Sequence, residues 1–230
     1  MTGDAPISIA EAAARATERL ERRAAEPIPP MDAMAIEGRI RSQMERAGVP
    51  TRFRGHRFVD YRAEPGSAQE RALQAARAVV DDHAGCLLLG SVGTGKTHLA
   101  AAIIAELSAQ GRLSDDFGRL TARFSIVPEL LDALRATISH PGADDPLQPL
   151  LSVPLLVLDD LGAEKPSEWV VDRLYVLVNH RYNAELVTVA TSNYTLNELA
   201  DRGYERMVSR LCEGSAIVKI EGRDARMVRS

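Results

Sequence analysis

From residue 90 to residue 97 the chain reads Gly90-Ser91-Val92-Gly93-Thr94-Gly95-Lys96-Thr97: a glycine, four residues, then glycine, lysine and threonine. Gly90, Gly93 and Gly95 let the backbone turn with its N–H groups converging, and a helix start adds the positive end of its dipole, so the segment suits an anion. The apolar run Cys86-Leu87-Leu88-Leu89 before it reads as a buried parallel strand, and residues 97–107 after it read as a helix. Strand, loop and helix in that order form a phosphate cradle, the P-loop. Lys96 would reach the β- and γ-phosphates of a nucleoside triphosphate, and the Thr97 hydroxyl would ligate Mg²⁺. The bland alternative is a glycine-rich turn that binds nothing, and the strand and helix on either side argue against it.

The rest of the chain must build a sheet around that loop, and its 230 residues, 45% hydrophobic and 26% charged, suffice for one such domain plus an appendage. No apolar run approaches the ~18 residues of a membrane span, and the Ala-, Glu- and Arg-rich N-terminus lacks the apolar centre of a secretory signal, so a cytoplasmic protein with no membrane partner is expected. Cys86 and Cys212 sit in apolar surroundings without C-x-x-C spacing and read as buried free thiols. With a net charge of −4, any nucleic-acid contact has to come from a local basic patch.

Three regions follow: a helical segment over residues 1–50, a basic and aromatic linker over 51–65, and the main domain over 66–230. Residues 9–25 read as a helix with Ser8 as N-cap, ended by Pro27, Pro29 and Pro30; residues 31–47 read as a second helix, ended by Gly48. Ala10, Ala13, Ala14 and Leu20 can form a docking stripe for a partner, although a solvated helix explains the same pattern. In Arg52-Phe53-Arg54-Gly55-His56-Arg57-Phe58, cations alternate with aromatics, which fits either a nucleic-acid contact or an arginine strip whose two Phe pack on the core. Having no cysteine and only His56, the N-terminal region offers no zinc site.

Beyond Ser67, which caps a helix reaching Val80, strands are expected at 120–127, 155–160, 186–191 and 216–220. Helices are expected at 128–138, 167–182, 196–200 and 205–212, with a loop at 140–148. The run Leu155-Leu156-Val157-Leu158-Asp159-Asp160 is the second chemical landmark, because a buried parallel strand delivers its last residues to the ligand edge of a sheet. Asp159 would hold Mg²⁺, and Asp160 would polarise the attacking water. Asn193, just past the strand at 186–191, would position that water or touch the γ-phosphate, unless it merely serves the turn. Arg206 and Arg210 lie four residues apart on one helix face.

Together, residues 90–98 (including His98), 158–165, 191–193 and 206–211 resemble the AAA+ ATPases of the DnaC/IstB group, which comprises replicative helicase loaders and the ATPase helpers of certain transposases. The resemblance spans residues 47–226. It implies a three-layer α/β sandwich around a five-stranded parallel sheet in 5-1-4-3-2 order. It also implies ATP and Mg²⁺ as cofactors, ATP-dependent self-association, and single-stranded DNA and a hexameric replicative DNA helicase as partners. By motif, His98 joins the nucleotide-binding loop, Asn193 becomes sensor 1, Arg210 an arginine finger directed at a neighbouring subunit, and Arg226 a sensor 2 arginine. The expectation that follows is a helicase-loading ATPase. Many AAA+ proteins carry Asp-Glu where this chain has Asp159-Asp160; the shorter acid implies slow hydrolysis and leaves Glu164 as a substitute. A transposition helper and a non-hydrolysing assembly scaffold are the alternatives.

Overall fold

The computed structural model describes residues 33–139 and 142–222. Ser8, the 9–25 helix with its docking stripe, the prolines, and Arg226 lie outside the described residues. In order come α1 (Ala33–Arg46), α2 (Ala68–Asp81), β1 (Gly85–Leu89), α3 (Lys96–Ala109), β2 (Ala122–Ile126), α4 (Val127–Ser139) and α5 (Gln148–Ser152). There follow β3 (Leu155–Leu161), α6 (Glu168–Asn183), β4 (Val187–Ser192), α7 (Leu196–Leu199), α8 (Glu205–Cys212) and β5 (Ser215–Lys219), with a kinked turn, Ala200–Tyr204, between α7 and α8. The short helix α5 stands at the end of the stretch expected to be a loop.

All five strands run parallel, in the order β5-β1-β4-β3-β2, as expected. Apolar side chains alternate across the sheet because consecutive residues of a strand point to opposite faces. Cys86, Leu88, Leu155, Val157 and Val189 pack with α1, α2 and α3, while Leu87, Leu89, Leu156, Leu158 and Ala190 pack with α4, α6 and α8. Apolar on both faces, these strands are buried between two helical layers.

The core reaches back well past residue 66. Ile40, Met44, Ala47 and Val49 are buried in the layer that holds α3, together with Phe58, and Phe53 and Tyr61 pack against it. After α1 the backbone runs beside the edge strand β2, where the Phe124 N–H donates to the Ala47 carbonyl at 2.7 Å. Of the two readings of residues 52–58, Phe58 follows the packing one. Arg54 pairs with Glu45 at 2.8 Å and Arg57 with Glu37 at 3.0 Å, so these two cations already have carboxylate partners within the fold.

Candidate functional site

The parallel strands all end at one edge of the sheet, and the loop at residues 90–95 leaves β1 there. Gly90 has φ 147° and Gly95 φ 91°, and both are hemmed in: a Cβ on Gly90 would lie 2.2 Å from the Ile220 carbonyl oxygen, and one on Gly95 would lie 2.6 Å from the Tyr61 ring. Glycine is thus required at both positions by conformation and by space. Lys96, 6% exposed, donates through Nζ to the Gly90 and Ser91 carbonyls at 2.7 and 2.8 Å and to Asn193 Oδ1 at 2.8 Å. Thr94 Oγ1 ties back to the Ser91 carbonyl, and Ser91 Oγ reaches the Gly222 carbonyl at 3.4 Å; Val92 is exposed at the tip.

β3 delivers the two acids to the same edge. Thr97 Oγ1 donates to Asp159, lying 3.1 and 3.3 Å from its two carboxylate oxygens. Burial raises the Asp159 pKa above the ordinary carboxylate value; hydrogen bonds from Thr191 and Thr97 and the charge of Lys96 oppose that shift, and the neighbouring Asp160 adds to it. Asp160 stands in the left-handed region at φ 61°, and Asn193 Nδ2 donates to its Oδ1 at 2.7 Å. Lys96, Asn193 and Asp160 form one hydrogen-bonded chain across the edge.

A bulge in β3 sets the two acids against β4. Leu158 pairs with Ala190 and Leu161 with Ser192, so Asp159 and Asp160 together face the single residue Thr191. Thr191 Oγ1 donates to Asp159 Oδ1 at 2.7 Å and accepts the Asp160 N–H at 3.0 Å, while Ser192 Oγ donates to the Leu161 carbonyl. The sequence reading passed over Thr191 except as one letter of a motif, since nothing in a lone strand threonine marks what it will oppose. Tyr61 was missed as well: its hydroxyl donates to the Thr94 carbonyl at 3.2 Å, and burial pushes its pKa up to about 12, so it stays a donor.

Three residues named from the sequence stand apart from this hydrogen-bonded group. The His98 side chain faces residues 51–61, donating from Nε2–H to the Arg57 carbonyl at 2.8 Å and meeting the rings of His56 and Tyr61 edge-on. Glu164 is buried; its carboxylate accepts from the Tyr204 hydroxyl and from the Gly162 N–H, which leaves Asp160 as the acid beside Asn193. Arg210 lies at the opposite end of the strands, lining a cleft of about 280 Å³ with Gly85, Thr188 and Ser215. Its guanidinium stacks 4.5 Å from the Tyr182 ring centre and lies 3.9 Å from Glu213. Arg206 stacks on Tyr175 and donates to its hydroxyl.

A five-stranded parallel sheet in this order, with lysine, threonine and acid converging at the strand ends, defines a P-loop nucleotide-binding protein of the AAA+ class. A sequence profile described as IstB-like ATP binding protein matches residues 33–230, and the chain belongs to that family. The replicative helicase loader DnaC of Escherichia coli K12 is 26% identical over 185 residues, covering 78% of this chain and 72% of DnaC. The loader DnaI of Bacillus subtilis is 28% identical over 155 residues, covering 62% of this chain and 47% of DnaI. A crystal structure of the DnaC helicase loader superposes with a TM-score of 0.63 at 29% identity, covering 75% of this chain and all of that one. Among the described residues no helix is long and apolar enough to cross a membrane.

Proposed function

We propose that this chain is an ATP-dependent loader of the hexameric replicative helicase onto single-stranded DNA, with ATP bound between associated subunits. The observation that carries the reading is the likeness to DnaC over 78% of the chain, combined with a site in which hydrogen bonds link Lys96, Asn193 and Asp160 and, through Thr191, Asp159 and Thr97. In this mechanism Lys96 exchanges its carbonyl and Asn193 contacts for the β- and γ-phosphates, while N–H groups of the loop beyond Gly90, whose own N–H donates to the Ser192 carbonyl, hold the phosphate chain.

The buried Asp159 carboxylate beside the Thr97 hydroxyl is an all-oxygen donor set that fits Mg²⁺, which would neutralise phosphate charge when bound. Asp160, oriented by Asn193, polarises the attacking water. Its short side chain makes hydrolysis slow, and the reaction waits for Arg210 of an adjoining subunit to stabilise the transferring phosphoryl group. Assembly with ATP holds the helicase open, and hydrolysis releases the loader.

Docking on the helicase is assigned to the region proposed at residues 1–50. Because Ile40, Met44, Ala47 and Val49 are core residues, the informative truncation removes residues 1–32 rather than 1–50. Immobilised full-length chain and residues 33–230 are each exposed to cell extract with ATP and Mg²⁺, and the captured proteins are identified. A replicative helicase retained by the full chain and lost by the truncation is the expected result. Capture of a transposase, or of no helicase, replaces this reading with the transposition helper that the family's IstB-like description favours.

A further inference from the structure

We infer that Thr191 is a positioning residue for both strand-end acids, and that its hydroxyl sets the strength of Mg²⁺ binding in the nucleotide site. This rests on the ATP reading above and extends it to a residue that reading does not use. The bulge in β3 leaves Asp159 and Asp160 facing one residue on β4, so the Asp160 N–H has no ladder carbonyl to meet. Thr191 Oγ1 takes that N–H at 3.0 Å and returns its own proton to Asp159 Oδ1 at 2.7 Å. One hydroxyl therefore holds a backbone group of the water-polarising acid and a side-chain oxygen of the metal-binding acid.

Thr191 is 1% exposed and Asp159 5% exposed, so water does not substitute for either bond. Asp159 Oδ1 accepts from both Thr191 and Thr97, and Thr97 is the other proposed metal ligand. The Thr191 bond consequently fixes which way the carboxylate plane faces, a task outer-shell partners perform for ligating carboxylates elsewhere. It also supports the left-handed conformation at Asp160, φ 61°, by giving that residue's N–H a partner within the bulge. Valine has nearly the shape of threonine and carries a methyl group in place of the hydroxyl, so Thr191→Val removes both hydrogen bonds with little change in volume.

The test compares the parent with Thr191→Val and Thr191→Ser, using a fluorescent ATP analogue with Mg²⁺ and again with excess chelator, and following ATP turnover separately. Thr191→Val is expected to keep the parent's affinity in chelator and lose roughly tenfold or more of the gain that Mg²⁺ confers, with turnover falling at least as much. Thr191→Ser, which keeps the hydroxyl, is expected to recover most of both. A Thr191→Val protein with the parent's full Mg²⁺ gain overturns the assignment. So does one that loses affinity in chelator as well, because that marks a merely structural residue. If the parent itself binds no ATP analogue under either condition, the ATP reading fails first, an outcome distinct from both.

Discussion

Arg181 shows how far one side chain can depart from its sequence appearance. Placed in the last turn of α6, it reads as a cation facing the negative end of the helix dipole. It is instead fully buried, with Nη1 donating at 2.8 Å to the Leu150 and Val153 carbonyls, Nη2 to those of Pro154 and Val187, and Nε to Thr188 Oγ1 at 3.0 Å. No carboxylate is among these acceptors; the guanidinium is held by main-chain dipoles at the starts of β3 and β4. Burial pushes its pKa down to about 9, which still leaves it charged at neutral pH. Arg181→Met would strand several buried acceptors, at about 1–3 kcal/mol for each one that finds no new partner. A loss of about 3 kcal/mol or more is expected from urea unfolding, with ATP affinity unchanged in the absence of urea.

At the scale of elements, α1 is joined to the body by burial and by its exit along β2. Met44 is wholly buried, and Ser108 Oγ of α3 donates to Gln43 Oε1 across the same contact. Met44→Ala is therefore expected to lower stability by about 2–5 kcal/mol in a urea titration, whereas a change under about 0.5 kcal/mol would mean that α1 is peripheral. The connector between α1 and α2 also touches the nucleotide loop directly, through Tyr61 on Thr94, and the helix after that loop through Arg57 on His98. Helix α8 has a comparable link to β3. Gly203, at φ 91°, kinks the chain just before Tyr204, whose hydroxyl meets Glu164 beyond the strand end. Both contacts join elements far apart in sequence.

Across the whole molecule, the sheet separates two chemistries. The nucleotide loop is at one end of β1 and Arg210 is near the other, five residues away along the strand, on the order of 15 Å at the usual rise per residue. Under the proposed function, Arg210 serves the site of an adjoining subunit and not its own. Arg210→Ala should then reduce hydrolysis by about 10³-fold where the parent assembles. Mixing it with an equally inactive Lys96→Ala variant should restore part of the activity, because some interfaces then combine an intact Lys96 with an intact Arg210. Parent-like hydrolysis by Arg210→Ala alone, or no recovery in the mixture, would refute action in trans.

What the sequence determined by itself was the set of features written in contiguous residues. The glycine-lysine-threonine loop, the acids ending an apolar strand, the two-faced strands and the capped helices each depend on neighbours along the chain. The strand order came through the family resemblance that those motifs carry, not from any one of them. Tertiary structure alone decided which distant groups meet. The pairing of β3 with β4 set Thr191 against two acids, burial turned Arg181 inward and Glu164 away from the site, and packing drew α1 and Phe58 into the core. Such contacts depend on register and on competition for burial between segments well separated in sequence, and no period or spacing within one segment encodes them.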